Sequence, residues 1–215
     1  MSQAQTRRRG QLSELARAIA VELADSRHEV ELHTTPAGDA GRFENLNRLL
    51  GLHPAAGHDW LIVIDDDVEL PRGFLDRFLF LCERFALDLA QPAHRLDSHA
   101  AWNVTRRRRG SVVRETSFVE IGPVTAFANR TFAALLPFPD LRMGWGLDAH
   151  WAALAQDRGW RCGITDAVSI RHRAAPAGAG YPREAAVAEA RSFLAGRAYM
   201  TADELEHTLA THRHW

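Results

Sequence analysis

Apolar residues recur along this chain with two periods, and the switches between them divide it into elements. Leu12, Leu15, Ile19 and Leu23 fall at helical spacing, which predicts a helix over 11–24. His28 to His33 alternates polar and apolar, the pattern of a strand. A short helix is expected at 43–50. Trp60-Leu61-Ile62-Val63-Ile64 is then continuously apolar, as in a strand buried on both faces of a parallel sheet. Phe74, Phe78, Leu81 and Phe85 line one face of a helix at 74–85, and 87–91 reads as a short strand. One or two strands are expected at 112–127, interrupted by Gly122-Pro123. A short helix follows at 129–136, and a longer one at 147–158 is stopped by Gly159. Two short strands at 160–171 lead to His172. Two helices, near 183–197 and 202–212, close the chain, the second opened by the capping-box pattern of Thr201 and Glu204. Strands alternating with helices predict an α/β fold with a mostly parallel sheet flanked by helices. We expect one domain over 11–182 with the helices of 183–215 packed on it, and a polar, disordered start at 1–10.

Composition narrows the class without naming a partner. At 215 residues, 46% hydrophobic and 25% charged, the chain fits one globular domain. The formal net charge of -1 gives no global argument for nucleic acid or an anionic membrane. All 26 basic residues are arginine, so chemistry that requires a lysine is excluded. Cys82 and Cys162 lie in apolar segments and are expected to be buried thiols of a reducing compartment. No apolar run is long enough to span a bilayer, and a cytoplasmic protein is the default expectation.

The chemistry concentrates where the strand at 60–64 runs into Asp65-Asp66-Asp67. Carboxylates at the carboxyl end of a buried α/β strand stand where such sheets bind ligands. Three adjacent negative charges call for a cation, and oxygen ligands favour Mg²⁺ or Mn²⁺, which bring phosphate with them. The plainer alternative is an acidic turn feeding the next helix. The irregular stretch 94–110 holds His94, Asp97, Ser98, His99, Trp102 and the run Arg106 to Arg109. It reads as a loop that is solvated or ordered by an anionic ligand.

Four pieces together resemble the glycosyltransferases of the GT-A fold, particularly the inverting family-2-like group, over about 41–173. Gly41-Arg42 with Asn45-Leu46-Asn47 is similar to the family's Gly-Lys…Leu-Asn helix start. Asp65-Asp66-Asp67 resembles its Asp-X-Asp motif. Gly144-Trp145-Gly146-Leu147-Asp148 resembles the acceptor-side Gly-Trp-Gly segment, and Ile170-Arg171-His172 the late histidine of the metal site. Ser117 to Glu120, with the Gly-Trp-Gly-Leu-Asp segment, is also similar to a predicted glycosyltransferase family common in plants.

The resemblance implies transfer of a sugar from a nucleoside diphosphate sugar to a hydroxyl acceptor. It implies Mn²⁺ or Mg²⁺ on Asp67, Asp65 and His172, and the donor on Arg42, Asn47, Asp65 and Asp66. Trp145 and Gly146 would face the acceptor. Asp148 would be the base, with Glu120 the second candidate because Ala149 stands where the family has the second acid of a pair. Glu120 is otherwise read as a strand-end carboxylate facing Arg114. The family's first strand is not found in 1–10. A weakened sheet, a partner strand from a second copy, or lost activity is the corresponding expectation. A nucleotidyltransferase and a non-catalytic GT-A-like nucleotide-binding or interaction remnant are the alternatives. A haloacid-dehalogenase-type phosphatase would need a lysine that is absent.

Overall fold

The computed structural model describes residues 13–35, 39–173 and 182–215. The expected start at 1–10, and most of the loop before the helix at 183, lie outside them. Helix α1 (Glu14–Ala24) is capped by Ser13, whose hydroxyl accepts the Ala16 N–H at 3.0 Å. Helix α2 (Arg42–Leu52) follows, then strands β1 (Trp60–Ile64) and β2 (Val68–Glu69), helix α3 (Phe74–Arg84) and strand β3 (Leu89–His94). A single 3₁₀ turn, Asn103–Thr105, separates β3 from β4 (Val113–Thr116) and β5 (Val124–Ala128). Helices α4 (Asn129–Leu135) and α5 (Leu147–Arg158), strand β6 (Cys162–His172), helices α6 (Arg183–Leu194) and α7 (Ala202–Leu205) and strand β7 (Thr208–His212) complete the chain.

The sheet is mixed, ordered β1-β5-β3-β6-β4-β7, with β2 on β6. Only β3 and β6 run parallel; the other pairs are antiparallel. This corrects the mostly parallel sheet read from the alternation of elements. Parallel neighbours need a crossover, usually a helix, and β4 and β5 are entered without one. Three further expectations change. Residues 28–33 join no ladder, and Val30 and Leu32 are exposed there. The two short strands at 160–171 are one strand of 11 residues. The last expected helix stops at Leu205 and gives way to β7, which pairs with β4.

Direction, rather than class, locates the end of the sheet that carries the candidate residues. β1 and β3 are both antiparallel to β5, so they point the same way, and β6 is parallel to β3. The carboxyl ends of β1, β3 and β6 therefore lie along one edge, and carry Asp65 to Asp67, His94 and His172. Pro92, which has no N–H to donate, marks the place where the β3–β6 register shifts. The ladder between β3 and β5 covers only Leu89 and Ala90, so the two strands part beyond it.

The sheet separates two apolar layers. Phe74, Phe78, Leu81, Ile19 and Leu23 pack on one face, with Trp60, Ile62 and Ile64 of β1 against them. Phe43, Phe127, Phe138, Leu147 and Trp151 fill the other, with Leu61 and Val63. The alternate residues of β1 thus pack toward two cores, but β1 is an edge strand, antiparallel to β5, and only Val63 in it is buried; this corrects the strand buried on both faces of a parallel sheet. Cys82 and Cys162 are buried free thiols, with Cys162 pushed up to about 12 by burial. No described helix is long and apolar enough to cross a membrane.

Candidate functional site

Asp65 continues β1 toward β5, its N–H donating to the Pro123 carbonyl at 2.9 Å. Its carboxylate meets Arg42 at the start of α2, where Nε donates to Oδ1 at 2.8 Å. Arg42 also donates from Nη1 to the Ile121 carbonyl. Gly122 closes this corner: a Cβ there would lie 3.0 Å from both Arg42 Nη2 and Asp65 Oδ2. Asp66 is exposed, and its carbonyl accepts the Ser13 hydroxyl at 3.2 Å.

Asp67 turns the other way. Its Oδ1 lies 3.3 Å from Nε2 of His172, the last residue of β6. The short β2–β6 ladder brings them together by pairing Val68 with His172, and the Arg173 N–H donates to the Asp67 carbonyl at 3.0 Å. Burial of the His172 ring acts to lower its pKa. The hydrogen bond to Asp67 and the charges of Asp67, Asp65 and Glu120 outweigh that, and the net shift is upward. Among the described residues, no three His, Cys, Asp or Glu side chains form a ready-made metal cage. Asp67 and His172 are together, while Asp65 is held by Arg42.

Beneath this pair lies a buried polar network. Glu120 is not opposite Arg114 as the sequence reading had it: Arg114 makes a two-pronged pair with Asp166, at 2.7 and 3.0 Å. Instead, Glu120 Oε1 accepts the Thr105 hydroxyl at 2.7 Å, and Oε2 lies 3.1 Å from His94 Nε2. The Glu120 N–H donates to Gln91 Oε1 at 2.6 Å, across the gap where β3 and β5 part. The other ring nitrogen of His94 lies 3.4 Å from Ser98 Oγ, which in turn accepts the His172 N–H at 2.8 Å. Glu120, His94 and Ser98 thus link the buried end of β3 to the backbone of His172. Both carboxylate oxygens of Glu120 are engaged. His99 stands beside His172, ring centroids 6.0 Å apart; burial, then the charge of His172, lower its pKa.

Asp148 enters from α5. Gly146, at φ 89, is the N-cap, so Asp148 is the second residue of the helix rather than its cap. Its Oδ1 accepts the Ala149 N–H at 2.9 Å. Burial, then the nearby charge of Glu120, raise its pKa to about 6. Trp145 and Gly146 form the turn just before. Asn47 donates from Nδ2 to the Phe138 carbonyl at 2.8 Å, holding α2 to the loop that leads to that turn.

His94, Ser98 and Thr105 stood in a stretch without periodicity, and their roles come from side-chain pairing across strand ends that no spacing reveals. Glu189 was missed as well. Its carboxylate accepts the N–H groups of Arg142, Met143 and Gly144 at 2.7–3.0 Å and ties the Gly-Trp-Gly turn to α6. A glutamate inside an alanine-rich helix carries no signal of that task.

Fold and site together define a mixed α/β protein with a carboxylate–imidazole cluster at the carboxyl ends of its edge strand β1 and of β3 and β6. No protein-family model matches the chain, and no curated protein matches it. A similar solved structure is that of GalNAc-T7 with UDP, GalNAc and Mn²⁺, at 14% identity and a TM-score of 0.47; the match spans 66% of this chain and 32% of that one.

Proposed function

We propose that this chain is a metal-dependent, inverting glycosyltransferase of GT-A type that moves a sugar from a nucleoside diphosphate sugar to a hydroxyl acceptor. The observation that carries the reading is the contact of Asp67 with His172 at the shared carboxyl ends of β1 and β6. One carboxylate and one imidazole are a sparse set for a structural metal. They fit Mg²⁺ or Mn²⁺ in a substrate site, where phosphate oxygens and water complete the shell. Asp67 and His172 would hold the ion, which when bound neutralises charge on the departing diphosphate.

The chain's own groups do the rest. Arg42 holds the Asp65 carboxylate in place at the donor side. Glu120, through His94 and Ser98, sets the backbone of His172. Asp148 is the base. The acceptor oxygen bonds to the anomeric carbon, the bond from that carbon to the diphosphate breaks, and the hydroxyl proton goes to the Asp148 carboxylate. A carboxylate with its pKa raised to about 6 is ionised at neutral pH and a stronger base than an ordinary aspartate.

Titrating UDP into the protein by calorimetry, with and without Mn²⁺, tests the donor site. Binding is expected only with Mn²⁺, and Asp67→Ala should weaken it by at least about tenfold, roughly 1.4 kcal/mol. Equal binding by the variant would remove the metal assignment. Mn²⁺-dependent binding without hydrolysis or transfer would leave a nucleotide-binding protein.

A further inference from the structure

A groove of about 460 Å³ opens between the Trp145 turn and the carboxyl end of α6. Ala190 and Leu194 line it together with Trp145, Tyr199, Arg191 and Arg197. Its walls are fixed to the start of α5. Glu189 clamps α6 to residues 142–144 through three backbone N–H groups. The segment after α6 is pinned twice: His150 Nδ1 lies 2.7 Å from the Ala198 carbonyl, and the Met200 N–H donates to the Ala149 carbonyl at 3.0 Å. Those two anchors lie on Ala149 and His150, the residues that follow Asp148. The Gly146 backbone packs on α6 so closely that a Cβ there would sit 3.2 Å from Leu194.

The lining has a definite chemistry. The exposed Tyr199 ring beside an apolar floor suits the apolar face of a sugar ring. Tyr199 is 50% exposed although both its neighbours in the chain lead to fixed positions. Two guanidinium groups suit a carboxylate or a phosphate, which they can grip with paired N–H donors. Among the described residues, neither Arg191 nor Arg197 lies within ion-pair distance of a carboxylate, and Glu189 is occupied by backbone. Arg197 instead covers the Phe193 ring at 4.6 Å and donates to the Phe193 carbonyl. A neutral glycan would be better served by Asp, Asn or Gln, none of which lines the groove.

Building on the glycosyltransferase reading, we infer that this groove binds the acceptor, and that the acceptor is a carbohydrate bearing negative charge, as a uronate or a sugar phosphate. The anchors on Ala149 and His150 fix the wall of the groove to the first turn of α5, the turn that carries Asp148.

The test is binding of three probes to the full chain without nucleotide: a hexagalacturonate, mannose 6-phosphate and maltohexaose. At least one anionic probe should bind ten or more times tighter than maltohexaose, and which one does so identifies the charged group. Arg191 is exposed, so Arg191→Gln should leave thermal unfolding unchanged while loosening that probe at least tenfold. Tyr199→Ala should loosen it as well. Equal binding of charged and neutral probes, no binding of any, or an unchanged affinity in Arg191→Gln would overturn the inference. UDP titration with Mn²⁺, read on the same samples, separates the two ideas. Its failure beside a tight anionic probe removes the transfer reading and leaves a saccharide site. Its success beside inert probes removes the groove alone.

Discussion

Asp148→Asn is expected to lower the transfer rate about 10²–10⁴-fold and, above pH 7, to raise the unfolding free energy by up to about 3 kcal/mol. On the proposed mechanism the loss of rate follows from removing the group that would accept the acceptor's proton, and donor binding should survive it. The gain in stability follows from the sign of the shift. Burial raises the folded pKa from 3.8 to about 6, so the folded state holds this proton more tightly than the unfolded chain. The stabilising contribution is fully present below the unfolded pKa of 3.8 and is lost as pH rises to about 6. At neutral pH the ionised group costs stability, and a neutral amide escapes that cost. The wild-type rate should accordingly climb with pH through about 6. Urea unfolding of both proteins at pH 4 and pH 8 checks the first half, since the difference should grow with pH. A variant that still transfers sugar at the wild-type rate would move the base elsewhere.

Gly144→Ala is expected to destabilise the protein by roughly 3–5 kcal/mol, a large share of a typical domain's stability. Two costs combine. At φ +83 the backbone is in the left-handed region that side chains disfavour. A Cβ there would also fall 2.1 Å from Cε2 of Phe43. That ring cannot yield, because it is 1% exposed and stands edge-on to Phe138 and Trp151 at 5.3 and 6.4 Å between centroids. Gly57 is the control: its φ is +92, but nothing lies within 4 Å of the added atom. Gly57→Ala should therefore cost only about 1 kcal/mol, from backbone strain alone. Denaturant midpoints of the two variants should differ clearly, and matching midpoints would show that Phe43 can move aside.

The sequence made the strand ends legible and left their neighbours dark. An apolar run followed by three aspartates announces a strand with carboxylates at its end, because hydrophobicity and charge are local properties. Asp67 and His172 were paired only through resemblance, and the structure brings them to 3.3 Å. The direction of the strands was not legible. Whether β5 runs with β1 or against it depends on a return path through an irregular stretch, not on the apolar pattern of either strand. The His94–Glu120 pair was hidden for a related reason: it joins residues 26 positions apart inside the gap between β3 and β5. Residues 28–33 show the converse. Their alternation suits a strand, but alternation only permits pairing, and residues 28–33 join no ladder although β1 has β5 alone as a neighbour.

The central parallel pair also governs how the molecule reaches its native state. β3 and β6 meet across a long stretch of chain; beside their first rung, the Arg161 N–H donates to the Asp88 carboxylate, a partner 73 positions away. Closing so large a loop costs chain entropy before any contact repays it, and sheets of such remote partners fold slowly, on the order of milliseconds to seconds. Local pieces such as α3 with the start of β3 can form well before β6 arrives. Asp67 and His172 become neighbours only when the β2–β6 rungs close. If the proposed function holds, metal or nucleotide binding followed during refolding would therefore lag behind the early recovery of helix and report the last stage of assembly.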